Sequence, residues 1–207
     1  MTSLDYYLIR PGYGSAEGIV VEEFVRAGDH TTVGLDSAGR LATDAGWWSS
    51  ASFSRHMRTD PELAARVVPV TRGEAETAAL ALGGALPAEA VLRGHFRERQ
   101  LFATAPPLRL GPDRPPAGWH EQRVYRVLFA NDLPARELAG LITGHMRAGD
   151  DDFAWRVRRI GRGLAWGLDL TVRLATGVDG TIGPVLRHLT GEMRRRGLIP
   201  VTTERFA

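Results

Sequence analysis

Apolar and polar residues alternate along the second half of the chain in a pattern that predicts an open-faced sandwich. Apolar residues at helical spacing predict helices over residues 131–146 and 183–196. A pair of glycines at positions 161 and 163 predicts a hairpin turn between two of the strands. The predicted order is therefore β-α-β-β-α-β. The strands are expected at residues 124–129, 153–157, 164–174 and 198–203.

The first half predicts a smaller region of strands and short helices, so the expected fold class is α+β. A capping box formed by Thr71 and Glu74 predicts the start of one helix. A short helix is expected at residues 60–66, because Asp60 precedes a proline at the first helical position. The remaining expectations are strands at 6–10, 19–25 and 31–35, a turn at 36–39, and a helix from 87 to about 102.

Prolines divide the chain into two regions. Five of the 12 prolines lie between residues 105 and 119. Proline lacks a backbone donor and restrains the residue before it, so this stretch predicts an extended connector. The expected domains are an N-terminal region at 1–104, the connector at 105–119 and the βαββαβ half at 120–207.

Composition excludes several classes of chemistry. All 26 residues counted as lysine or arginine are arginine, and the chain has no cysteine. A Schiff-base lysine, a lysine general base, a Walker-type phosphate loop and a cysteine nucleophile are therefore excluded. Two alternative causes explain such a composition: codon bias, or a selective need for guanidinium groups.

The charge balance and the hydropathy pattern indicate the kind of partner. No run of about 18 or more apolar residues predicts a membrane span, and no secretory signal is expected, so the expected location is cytoplasmic. A net charge of only +2 argues against nucleic acid as a partner. The three arginines at 194–196 fit the last turn of a helix, where cations complement the helix dipole.

Histidine and serine spacing gives no sign of a metal centre or a hydrolase. The six histidines include no H-x-x-x-H or H-E-x-x-H pair, so neither a metal nor a cofactor is predicted. No G-x-S-x-G motif is present either.

Arginines cluster around the predicted hairpin. Strand alternation places Arg156 and Arg158 on one face, and Arg162 follows at the turn. Such charges repel one another unless carboxylates or bound anions lie nearby. Two interpretations remain open: Asp169 and the aspartates at 150–152 neutralise the cluster, or the arginines form a surface that binds phosphate through their planar donor forks.

Four short motifs occur in order over residues 120–207. They are R-V-Y at 123–125, F-A-W-R-V at 153–157, an aspartate-led apolar strand at 169–174 and I-P-V-T-T at 199–203. In this order they resemble the HopA-type effector domain, known from bacterial type III secretion effectors and from lyase components of class V lanthipeptide and thioamitide biosynthesis. The family pattern has lysine where this chain has Arg156.

The resemblance implies a lyase or lyase-like subunit that acts on phosphoserine or phosphothreonine in a precursor peptide, together with a kinase-like partner protein. The implied β-elimination of phosphate needs a base for the α-proton and a cationic site for the leaving group. Arginine cannot act as the base at neutral pH. The candidate bases are therefore His145, His188 and His120, unless a partner supplies one. The implied phosphate- and peptide-binding residues are Arg156, Arg158, Arg162, Arg123, Tyr125 and Asp169.

An alternative function needs no catalysis. In it the chain is a peptide- or protein-binding adaptor subunit of a biosynthetic complex, and the arginine-bearing strand contacts an acidic partner.

Overall fold

The computed structural model of the chain is α+β and divides into two compact units. It describes residues 4–11, 15–43, 46–102, 114–161 and 165–206. The first unit comprises residues 1–26 and 32–103, and the second comprises residues 27–31 and 104–207. Most of the predicted connector at 105–119 lies outside the described residues. No helix in the described part of the chain has the length and apolar character that crossing a membrane requires.

The described residues of the first unit form an antiparallel sheet and four helices. Its strands are β1 (Asp5–Ile9), β2 (Gly18–Arg26), β3 (Thr32–Leu41), β4 (Trp48–Ser49), β5 (Val67–Val70) and β6 (Arg99–Leu101). Its helices are α1 (Ala51–Thr59), α2 (Pro61–Arg66), α3 (Arg72–Ala81) and α4 (Glu89–Arg93). The strand order is β4-β3-β2-β1-β5, and β6 pairs with β3. Apolar residues of β1 and β2 pack against Ala75 and Ala79 of α3.

The starts of α2 and α3 in the first unit follow local sequence signals. The Asp60 side chain accepts hydrogen bonds from the backbone N–H groups of Glu62 and Leu63, which confirms the predicted start of α2. Both hydrogen bonds of the capping box between Thr71 and Glu74 are present at the start of α3. These starts were predictable because each depends on neighbouring residues only.

Two predictions for the first unit are wrong for one shared reason. The expected turn at 36–39 is instead the middle of β3, and the helix expected to reach residue 102 ends at Arg93. Arg99 of β6 donates to both carboxylate oxygens of Asp36 at 2.8 and 2.7 Å, across 63 positions of sequence. Backbone pairing of β2 with residues 36–39 and of β6 with β3 makes both segments strands, and no local pattern predicts these distant pairings.

In the second unit, the residues that the structure describes form a five-stranded antiparallel sheet with one long helix. Its strands are β7 (Glu121–Ala130), β8 (Thr143–Ala148), β9 (Asp151–Ile160), β10 (Ala165–Leu174) and β11 (Ile199–Arg205). A short 3₁₀ helix covers Ala135–Leu138, and α5 covers Ile182–Arg195. The strand order is β11-β7-β10-β9-β8.

Helix α5 covers one face of this sheet. Tyr125, Val127 and Phe129 of β7 are buried on that face and belong to one cluster with Leu186 and Leu189 of α5. Alternate residues of each strand therefore point to the opposite face. Among the described residues of the second unit, no helix packs on that opposite face.

The βαββαβ order is not confirmed, because the segment at 131–146 is not an α-helix. It forms the 3₁₀ helix and then β8. Gly140 has a φ of +83°, a left-handed conformation that interrupts an α-helix. Beyond it, the Trp155 side chain lies over Gly144 and donates through Nε1 to the Leu141 carbonyl oxygen at 3.1 Å. The apolar residues that suggested a helix thus pack from a turn and an edge strand.

The packing of Trp155 on Gly144 predicts the effect of one substitution. A Cβ on Gly144 would lie 2.0 Å from Cζ2 of Trp155. We expect Gly144→Ala to lower the free energy of unfolding by about 1–3 kcal/mol, measured by urea denaturation, as overpacking does elsewhere. Gly180→Ala is the control, since nothing lies within 4 Å of its Cβ position. In an α-helix the same change at residue 144 would stabilise the protein by about 1 kcal/mol, so stabilisation contradicts the strand.

Candidate functional site

The sheet face opposite α5 carries a row of alternating charges. The strand register places Asp169 of β10 between Arg156 of β9 and Arg126 of β7. Thr143 of β8 and Glu204 of β11 end the row on either side. We call this surface the arginine face. Its charged or titratable members are Arg126, Arg147, Arg156, Arg158, Arg173, Asp152, Asp169, Glu204 and His145.

Two arginine side chains donate hydrogen bonds to the Asp169 carboxylate. Arg126 donates to its two oxygens at 2.6 and 3.2 Å, and Arg158 donates to Oδ2 at 2.8 Å. Burial by itself raises the pKa of Asp169, but the hydrogen bonds from these arginines outweigh it, so the pKa lies below its usual value. The Arg126 guanidinium also lies over the Phe206 ring, 4.5 Å from its centroid. Asp169 therefore stays ionised, and its acceptor capacity is largely used.

Among the described residues, the side chains of Arg156 and Arg147 on the arginine face have no partner, and Arg156 is the one beside Asp169. It is exposed, and no hydrogen bond or ion pair joins its side chain to another residue that the structure describes. Its cross-strand neighbour Asp169 already binds two other guanidiniums. The five N–H donors of Arg156 are thus available to an anion from outside the unit.

The aspartates at the start of β9 do not neutralise Arg156 either. Asp151 is buried, accepts the Ala175 backbone N–H at 2.9 Å and accepts the Thr181 hydroxyl at 2.6 Å, which ties it to the chain before α5. Asp152 accepts from Arg173 at 3.1 Å. The expected neutralisation therefore holds for Arg158 but not for Arg156.

His145 and Asp152 form a pair on the same face. Nε2 of His145 hydrogen-bonds to one carboxylate oxygen of Asp152, and Arg173 binds the other. A carboxylate accepts but does not donate, so Nε2 carries the proton in neutral His145 and Nδ1 keeps its lone pair. The His145 side chain is 59% exposed and that of Asp152 is 9% exposed. This orients a histidine that can accept a proton at Nδ1.

The register places His145 and Arg156 close to each other. His145 lies opposite Ala154, and Arg156 lies two residues further along β9. Such diagonal neighbours in an antiparallel pair have Cα atoms about 7–8 Å apart. The small side chains of Ala154 and Thr171 lie opposite each other beside this pair. A proton acceptor and an unpaired guanidinium thus flank one stretch of open sheet surface.

Arg123 and Tyr125 lie on the other face of the sheet. Tyr125 is buried among the residues that pack on α5, and its hydroxyl donates to the Asp29 carbonyl oxygen at 3.0 Å. Burial raises the pKa of Tyr125. Arg123 donates to Glu121 at 2.7 and 2.8 Å and to Asp179 at 2.8 Å, and its hydrogen bonds to Glu121 above all raise its pKa. The structure therefore does not bring these two predicted residues together with Arg156.

The other predicted residues are also dispersed. His188 is an exposed residue of α5, on the far side of the sheet from the arginine face. His120 directly precedes β7 and donates its backbone N–H to the Leu174 carbonyl oxygen at 2.8 Å. Arg162 lies outside the described residues. Of the three candidate bases, the structure places His145 on the arginine face.

Sequence reasoning missed Arg126 and Arg173 as members of this face, whereas it had named Asp152 among the neutralising aspartates. Arg173 lies four residues after Asp169 on β10, so strand alternation alone puts them on one side. The pairing of His145 with Asp152 was hidden, because it requires β8 to be a strand. Among the described residues no three metal-ligating side chains form a group that could hold an ion.

Comparison with known proteins gives no relative. No family model, curated protein or solved structure matches the chain. The resemblance to the HopA-type domain therefore stays a prediction, and the function is argued from the arginine face itself.

The environment of Asp169 predicts a pH-dependent contribution to stability. The folded carboxyl is more acidic than the unfolded one, so its contribution is present above the ordinary pKa of about 4 and is lost as the pH falls below it. We expect Asp169→Asn to lower the free energy of unfolding by about 1 kcal/mol at pH 7 and by little near pH 2, measured by urea denaturation.

Asp150→Asn is the matched control for that series. Asp150 is exposed and has no ion pair among the described residues, so the substitution should change stability little at either pH. An equal loss for Asp169→Asn at both pH values would show that its carboxylate charge does not stabilise the sheet.

Proposed function

We propose that the arginine face binds a phosphorylated peptide and that His145 promotes β-elimination of its phosphate. The observation that carries this proposal is the unpaired Arg156 beside the oriented His145–Asp152 pair. Binding and elimination need these two functions, a cation for phosphate and a base for a proton, on one surface.

The charge distribution supports phosphate as the ligand. The arginine face carries five arginines against three carboxylates, which leaves an excess of positive charge. Arg156 presents a planar fork of donors that matches two oxygens of a phosphate group. Asp169, with two arginines bound, repels an incoming anion less than a free carboxylate would.

The elimination follows from the positions of His145 and Arg156. Nδ1 of His145 takes the α-proton of a phosphoserine or phosphothreonine, and the electron pair of that C–H bond forms the Cα=Cβ double bond. The Cβ–O bond breaks and its electrons leave with the phosphate, whose charge Arg156 stabilises. Asp152 stabilises the imidazolium that forms, as carboxylates do for histidine bases elsewhere. The products are a dehydroamino acid and inorganic phosphate.

Such a substrate requires an enzyme that phosphorylates it. The proposed partners are therefore a precursor peptide and a kinase-like protein that modifies its serine or threonine residues.

One observation favours the adaptor function instead. The His145 side chain is 59% exposed on an edge strand, whereas bases that take carbon-bound protons act best where water is excluded. In this second candidate function, the same face binds the phosphorylated or acidic peptide without turning it over.

Binding of a phosphoserine peptide tests the shared part of both functions. We expect wild-type protein to bind it more tightly than the same peptide with serine, and Arg156→Ala to weaken binding about 10- to 100-fold, the range for a hydrogen bond to a charged group. Fluorescence anisotropy of a labelled peptide measures this. Arg187→Ala, at an exposed position on α5, is the control and should leave the affinity unchanged. Equal affinity for both peptides would refute phosphate recognition.

Release of inorganic phosphate separates the lyase from the adaptor. With the phosphoserine peptide bound, wild-type protein should release phosphate and yield the dehydroalanine product by mass spectrometry. His145→Gln should stop release but retain most of the binding, because Arg156 is unchanged. Binding without release by the wild-type protein, alone and with its kinase-like partner, would leave the adaptor function.

A further inference from the structure

Strand β8 forms an edge of the second sheet. The strand order ends at β8, and none of the described strands pairs with its outer side. An edge of this kind presents unpaired backbone N–H and C=O groups to which another strand can add.

The backbone groups that point outwards can be identified from one hydrogen bond and the register. The Val157 N–H donates to the Ile142 carbonyl oxygen at 2.6 Å. Ile142 and Val157 thus form a hydrogen-bonded pair next to the pair of Thr143 and Arg156. In an antiparallel ladder, hydrogen-bonded and non-hydrogen-bonded pairs alternate. Thr143, His145 and Arg147 therefore direct their backbone N–H and C=O groups away from β9, towards the open edge.

The same three residues have their side chains on the arginine face. All three are exposed, whereas the intervening Gly144 and Met146 are half-buried on the other side. In a pleated sheet, directly opposite residues of neighbouring strands share a face. A strand that pairs with the outward groups of β8 would thus place its paired side chains on the arginine face.

We propose that the phosphopeptide docks as an additional strand on the outer edge of β8, with its phosphorylated residue opposite Thr143 or His145. This inference rests on the proposed function and specifies how the peptide is held. Neighbouring strands lie about 4.8 Å apart, so the peptide backbone lies about 10 Å from β9. Extended side chains of phosphoserine and Arg156 meet over that distance across Thr143.

Charge selects a phosphopeptide over a second copy of the chain as the occupant. Pairing of two copies through β8 would bring Arg147 and Arg156 of both copies together, and like charges across strands destabilise pairing. A phosphorylated strand brings negative charge to the same positions. Backbone hydrogen bonds then give affinity for an extended peptide, and the arginines give preference for phosphate.

Backbone methylation of the peptide tests this docking on wild-type protein. The probe is a short peptide of alternating valine and threonine with a central phosphoserine. The residues two positions before and after the phosphoserine would direct their N–H groups at β8, and the directly adjacent residues would direct theirs away. We expect N-methylation at the former to weaken binding about tenfold each, and N-methylation at the latter to change it less than about twofold.

Amide hydrogen exchange provides a second measurement. In the free protein, we expect the N–H groups of Thr143, His145 and Arg147 to exchange faster than those of Gly144 and Met146. Saturation with the phosphoserine peptide should slow exchange at the first three. Slow exchange there without peptide, together with a dimer in sedimentation, would show that a second copy covers β8 and would overturn the proposal.

The outcomes separate this proposal from the proposed function. Binding that depends on Arg156 but is insensitive to the position of the methyl group would overturn strand addition and leave phosphate recognition intact. If serine and phosphoserine peptides bound equally, and if N-methylation weakened both at the same alternate positions, strand addition would stand and the phosphate part of the proposal would be overturned. Absence of binding would overturn both.

Discussion

The packing of α5 on one face of the second sheet determines where every charged side chain of that sheet lies. Apolar residues at alternate positions of the strands are held against α5, so the intervening residues must point the other way. The register then sets Asp169 between Arg126 and Arg156. Since Arg126 and Arg158 already bind Asp169, Arg156 is left with unused donors. The proposed anion site thus has two causes. Core packing directs Arg156 to this face, and the neighbouring Asp169 has no carboxylate oxygen left to bind it.

Because the chain has no lysine, no lysine amine can act as the base for the proposed elimination. Arginine stays protonated at neutral pH, so it binds phosphate strongly but cannot remove an α-proton. A base has to come from another residue type, and the structure offers His145 on the same face, oriented by Asp152. The proposed elimination therefore uses His145 as its base, whereas the HopA-type pattern has a lysine at the position of Arg156.

The sequence predicted those features that depend on near neighbours. The capping box at Thr71, the strands around the hairpin and the shared face of Arg156 and Arg158 all follow from local spacing. Prediction from the sequence failed where contacts between residues distant along the chain determine the structure. Trp155 requires the glycine at 144 in a strand, and pairing with β2 and β6 makes Asp36 part of β3. Because β8 was expected to be helical, neither the His145–Asp152 pair nor the open strand edge could be predicted.

The most direct test of the anion site is an NMR titration that follows the Nε–Hε resonances of the arginines as phosphoserine peptide is added. The account predicts that the Arg156 resonance shifts as the peptide saturates. It predicts no shift for Arg123, which Glu121 and Asp179 hold on the opposite face. An unchanged Arg156 resonance at saturation, or a shift at Arg123 in its place, would contradict it.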